Sequence, residues 1–91
     1  MRPHRRQLVS LRSFEEDLFA GRRDTNLKFA EMRTYLHRLG FKERIRGSHH
    51  VFYFEGLDRP LNLQSAGSRC KSYQVQQVRK VLRERGMRLL P

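Results

Sequence analysis

Residues 41–56, FKERIRGSHHVFYFEG, decide the fold, because the hydrophobic period changes here from that of a helix to that of a strand. Phe41, Glu43 and Ile45 alternate with Lys42, Arg44 and Arg46, which predicts a strand with one wet, basic face. Gly47-Ser48 supplies the bend, and HHVFYF resumes the alternation as a second, antiparallel strand. On a regular strand Phe52 and Phe54 share a face with His50, while His49, Val51 and Tyr53 take the other. The two histidines therefore point to opposite sides of the sheet, and only one of them can serve a given site. A histidine pair is neither a turn former nor a usual opening for a buried strand, so it is either an accident of structure or a piece of chemistry.

Upstream of this hairpin, NLKFAEMRTYLHRLGF places Phe29, Met32, Leu36 and Leu39 at helical spacing, and Gly40-Phe41 reads as a left-handed cap with its apolar residue folded back. Downstream, GLDRP turns the chain, and LNLQ alternates Leu61 and Leu63 with Asn62 and Gln64 as a third short strand behind Pro60. SAGSRC reads as a loop. KSYQVQQVRKVLRERG then predicts a helix with Val75, Val78 and Val81 or Leu82 inward, Ser72 as N-cap and Gly86 as stop.

The chain before residue 26 divides in two. In SFEEDLFAG, Ser13 and Glu16 have capping-box spacing and Phe14 lies four residues from Leu18, which predicts a two-turn helix ending at Gly21, followed by a polar link. Ahead of it stand Arg2, Arg5, Arg6 and Arg12 with no acid before Glu15, the pattern of a flexible basic arm. The organisation expected is an arm over 1–12, a short helix and linker over 13–25, and an α-β-β-β-α domain over 26–91. This is an α+β arrangement with helices on one face of a three-stranded antiparallel sheet, the two-layer topology of double-stranded RNA-binding domains.

Composition narrows the partners. Twenty Lys and Arg against 9 Asp and Glu give a formal net charge of +11, which favours phosphate polyanions or an acidic protein over neutral ligands. With 37% hydrophobic residues, six Phe and three Tyr, the 91-residue chain can still form one modest core. Its one cysteine, Cys70, cannot form an internal disulfide, which fits a reducing compartment and leads to a cytoplasmic expectation. No apolar run approaches a membrane span and the start lacks a signal-peptide core, so no membrane partner is expected.

For a polyanion such as RNA, histidine suits proton transfer at a phosphodiester, since both its forms are populated near neutrality. Arg46 flanks the turn that presents the histidines. Arg69 and Lys71 precede the last helix, whose first free N–H groups can bind a phosphate with them. Tyr73 is placed to stack on a base, or equally to sit at the edge of the core. His37 and His4 read as solvated. A zinc site from His37, His49, His50 and Cys70 lacks ligand spacing, and Gly67-Ser68-Arg69 is too short for a nucleotide-cradling loop, so no metal and no cofactor are expected. Nor do adjacent helices pair as a DNA-reading helix-turn-helix.

From about Asn26 to Gly86 the chain resembles the HicA toxins of bacterial toxin-antitoxin pairs. The likeness rests on LKFAEMRTYLHRLGF, RGSHHVF, LNLQ and GSRCKSYQVQQVRKVL, with the Gly-Ser-His turn after a Leu-Gly-Phe helix end as its most specific piece. The resemblance implies a double-stranded-RNA-binding-like fold and a metal-independent endoribonuclease that cleaves mRNA and is held inactive by a cognate HicB-type antitoxin. It places the catalytic histidine at His49, directly after the Gly-Ser turn, with His50 as runner-up. Arg46, Ser48, Arg69, Lys71 and Tyr73 become the RNA- and phosphate-binding candidates. The N-terminal extension, and Arg69 and Cys70 in place of the subgroup's more usual Lys and Ala, depart from the family pattern. A non-catalytic module that binds double-stranded RNA is the alternative.

Overall fold

The computed structural model describes residues 3–89, with side chains from residue 11 onward. In chain order it contains α1 (Pro3–Ala20), α2 (Phe29–Leu39), β1 (Lys42–Arg46), β2 (His49–Tyr53), β3 (Leu61–Leu63), β4 (Ser65–Ala66), β5 (Arg69–Cys70) and α3 (Ser72–Arg85). The fold is α+β, with three helices and antiparallel sheets among the described residues. No helix among those residues is long and apolar enough to cross a membrane.

The main sheet has the order β1-β2-β3, and both pairings are antiparallel. Arg46 pairs with His49, so the connecting turn is Gly47-Ser48 alone. Gly47 has φ +58° and no non-glycine residue among those described has positive φ, the pattern of a type II′ turn with glycine at its first central position. That turn fixes the register and hence which side chains face the helices. Glu43, His50, Phe52, Leu61 and Leu63 face inward. Lys42, Arg44, Arg46, His49, Tyr53 and Asn62 are exposed on the outer side, with half-buried Val51 among them. Ile45 belongs to the inward phase yet is 54% exposed; it lies near the end of β1, an edge strand of this sheet, opposite the half-buried His50.

Both later helices end as the glycines imply. Gly40 and Gly86 are left-handed; Phe41 and Met87 donate back to the Leu36 and Leu82 carbonyls (6→1), and Gly40 and Gly86 to those of His37 and Arg83 (5→2), the paired bonds of a Schellman motif. Phe29, Met32, Tyr35 and Leu36 from α2 meet Val75, Val78 and Leu82 from α3 and Phe52 from β2 in one buried cluster.

Two expectations change. The helix expected from Ser13 begins at Pro3, so α1 covers most of the segment read as a flexible arm. Ser13 lies within the helix and caps nothing. The physical reason is that the apolar stripe continues backward: Leu11, Phe14 and Leu18 recur at helical spacing and all are buried. Proline is also favoured in a first helical turn, where its missing N–H is no loss. The second change concerns SAGSRC, which forms the hairpin β4–β5 instead of a loop. Gly67-Ser68 repeats the turn of Gly47-Ser48, again with positive φ at glycine. The hairpin holds the entry to α2, since the Ser68 carbonyl accepts from Phe29 N–H at 2.9 Å and Cys70 N–H donates to Leu27 at 2.8 Å.

α1 is tied down by polar contacts as well as by its stripe. The Tyr35 hydroxyl, on a side chain with no exposed surface, donates to Glu15 at 2.6 Å, and burial together with that carboxylate holds the phenol above its ordinary range. Arg79 of α3 makes a two-pronged pair with Asp24 at 2.9 and 2.8 Å and also donates to the Leu18 carbonyl.

Candidate functional site

His49 opens β2 on the outer side of the sheet, one residue past the Gly47-Ser48 turn. Its Nδ1 is 3.1 Å from Asn62 Oδ1 on β3, and its Nε2 is 3.3 Å from Gln64 Nε2. An amide oxygen only accepts and an amide nitrogen only donates, so this network assigns the neutral ring its proton on Nδ1 and its lone pair on Nε2. The basic nitrogen thus faces the Gln64 side.

Gln64 joins the hairpin to the start of α3. Its Nε2 also donates to Ser48 Oγ at 2.9 Å, its Oε1 accepts from Lys71 Nζ at 3.1 Å, and its backbone N–H donates to buried Gln74 Oε1 at 2.9 Å. Lys71 is the N-cap residue of α3, in place of the expected Ser72. It has extended backbone (φ −76°, ψ 131°) and makes no side-chain cap, and no acid stands in the first turn. Ser72 follows it as the first helical residue. Lys71 Nζ has three donors and Gln64 takes one, so cationic donors remain beside uncapped helix N–H groups. His49, Asn62, Gln64, Tyr73, Gln77 and Lys80 line an open groove of about 700 Å³ between β3 and α3.

The expected residues divide accordingly. Ser48 and Lys71 share the Gln64 network with His49, Arg46 is its cross-strand partner, and Tyr73 stands 56% exposed in the same groove. Arg69 does not join them. Its backbone bridges Lys28, and it lines a different crevice with Asp17, Arg23 and Glu31.

His50 takes the opposite side. Its ring packs edge-on against Phe29 with centroids 4.8 Å apart, and Nδ1 is 2.6 Å from Glu43 Oε2. The Glu43 side chain, 6% exposed, also accepts two bonds from Arg33 at 2.8 and 3.0 Å and one from His37 Nε2 at 2.7 Å. Burial opposes ionisation of that carboxyl, but the bonds from Arg33, His37 and His50 outweigh it and lower Glu43 to about 2. His37 is exposed, as expected, and is in addition a partner of this carboxylate, with its ring edge-on to Phe52.

Sequence reasoning missed Asn62, Gln64 and the Glu43 cluster. Glu43 had a signal, since it is an acid on the apolar phase of β1, between Phe41 and Ile45. Asn62 and Gln64 had only their polar phase on a short strand, and Gln64 acquires its role from partners 16 and 7 residues away. Among the described residues no group of three His, Cys, Asp or Glu side chains is arranged to hold a metal ion. No protein-family model, curated protein or solved structure gives a match to this chain.

Proposed function

We propose that the chain is a metal-independent endoribonuclease of the HicA type, the toxin of a type II toxin-antitoxin pair, built on a double-stranded-RNA-binding-like fold. The observation that carries this reading is the exposed His49 ring at the groove, held by Asn62 through Nδ1 and linked on its Nε2 side through Gln64 to Lys71. A helix, a three-stranded antiparallel sheet, the added β4–β5 hairpin and a second helix over residues 29–85, together with the +11 charge, support it.

In this mechanism mRNA lies with a phosphodiester beside His49. Nε2 takes the proton of the 2′-hydroxyl as the 2′-oxygen bonds to phosphorus, and the bond to the 5′-oxygen breaks. The leaving oxygen takes a proton from solvent, and the imidazolium returns its own to solvent. The charge that builds on the phosphorane meets the Lys71 ammonium and the N-terminal end of α3. Gln64 moves with the substrate, since its amide occupies Nε2 beforehand. A HicB-type antitoxin with an acidic face would block the groove and answer the positive surface.

The test is induction of the chain alone in bacteria, compared with His49→Ala and His50→Ala, followed by cleavage of purified RNA in EDTA. Growth arrest and RNA cleavage should be lost with His49→Ala, by about 10²- to 10⁴-fold in rate, and kept with His50→Ala where that variant folds. RNA binding with no cleavage by the wild type leaves the non-catalytic double-stranded RNA-binding module. Activity abolished only by EDTA overturns the metal-free chemistry.

A further inference from the structure

Among the described residues the outer face of the main sheet is largely exposed, and the charges it carries are of one sign. Lys42, Arg44 and Arg46 recur at every second residue of β1, a spacing of about 7 Å along an extended strand. Opposite them in register stand Tyr53, Val51 and His49, with Asn62 beyond on β3, and no carboxylate belongs to this paired face. None of the three cations takes part in an ion pair among the described residues. The Arg44 guanidinium lies 5.9 Å from the centroid of the Tyr53 ring, which is 41% exposed.

His49 belongs to this face and also to the groove that holds Tyr73. Two exposed aromatic rings, Tyr53 and Tyr73, thus stand on the two approaches to one imidazole. Exposed rings beside a line of cations are how proteins hold single strands, because a splayed base offers a π-face to stack and its phosphates track the charges. A duplex keeps those π-faces inside its own stack.

We propose that this surface selects single-stranded RNA: the strand lies on the open sheet with a base on Tyr53 and phosphates on Lys42, Arg44 and Arg46, and crosses His49 to place another base on Tyr73. The cut itself rests on the nuclease reading above, whereas the binding surface can be measured apart from it.

The experiment measures fluorescence anisotropy of the intact protein with a short single-stranded oligonucleotide, 2′-O-methylated so that it cannot be cleaved, and with the same sequence as a duplex. The single strand should bind more tightly. Tyr53→Leu, which keeps apolar bulk and removes the ring, should weaken the single strand by at least about fivefold and leave the duplex unchanged. Arg44→Gln should reduce the salt slope for the single strand by about 0.7. Both positions are exposed, so thermal melts of the two variants should match the wild type. Equal affinity for duplex, or a single strand indifferent to Tyr53→Leu, overturns the proposal. Single-strand binding that depends on Tyr53 in a protein that cleaves nothing upholds the surface and removes the nuclease reading alone.

Discussion

His49 and Asn62 are diagonal neighbours on adjacent strands, and the 3.1 Å bond between Nδ1 and Oδ1 fixes which ring nitrogen carries the proton. Asn62→Leu removes that constraint while keeping the volume. If the chain is the proposed ribonuclease, turnover should fall while KM stays close to the wild-type value, since the ring loses orientation and the groups proposed to bind phosphate are untouched. Asn62→Asp should instead keep activity and move the acid limb of the pH–rate profile upward, because a carboxylate stabilises the imidazolium. Steady-state rates across pH on an RNA substrate check both.

Glu43 makes a second prediction, this one about stability. Glu43→Gln leaves Arg33, His37 and His50 without their shared negative charge. Loss of one partner from a buried pair costs several kcal/mol, but Arg33 and His37 reach water, so about 2 kcal/mol is expected here. For a chain of this size that lowers Tm by roughly 10 °C. Differential scanning calorimetry reads the shift directly. The same carboxyl sets an acid limit. Its folded value of about 2 lies below the ordinary 4.5, so its contribution is complete above about 4.5 and is lost as pH falls toward 2. Urea melts through that window should show stability falling with acid in the wild type and a flatter dependence in Glu43→Gln.

Arg79 should tolerate no other cation. Its two-pronged bond to Asp24 and its bond to the Leu18 carbonyl need a planar fork, and both side chains of the pair are only 14% exposed. Arg79→Lys is expected to cost about 2 kcal/mol and to loosen the junction of α1 with α3. A lower urea midpoint with unchanged activity per folded molecule is the expected signature.

Cys70 is expected to be chemically quiet. Burial, and to a smaller extent the nearby Glu31 charge, push its thiol up to about 12. Alkylation by iodoacetamide near neutral pH should therefore be slow in the folded protein and fast in urea. Fast labelling without denaturant would show that the β5 end opens readily.

The elements that sequence made legible share a feature: their signals are local. The glycine stops at Gly40 and Gly86 sit beside the residues that they cap, and the alternation through β1 and β2 fixes the opposite directions of His49 and His50. What stayed hidden depends on distant partners or on segments too short to show a period. β4 and β5 have two residues each, so only the repeated Gly-Ser pair could have marked their turn. The buried role of Glu43 needs Arg33 and His37 from α2 and His50 from β2, three groups that no window of sequence brings together. The backward extent of α1 was obscured because its arginines masked an apolar stripe of few residues.

The Gly47-Ser48 turn has no slack. A single residue inserted there would invert one strand of the hairpin relative to the other, sending His49 in among the helices and His50 out to water. The protein would then still display an imidazole, but would strand the carboxylate that His50 now satisfies. A length change at this bend is therefore a different molecule rather than a variant, whereas the wide bend between Tyr53 and Leu61 lies outside both paired registers and is where the chain can lengthen without exchanging its two faces.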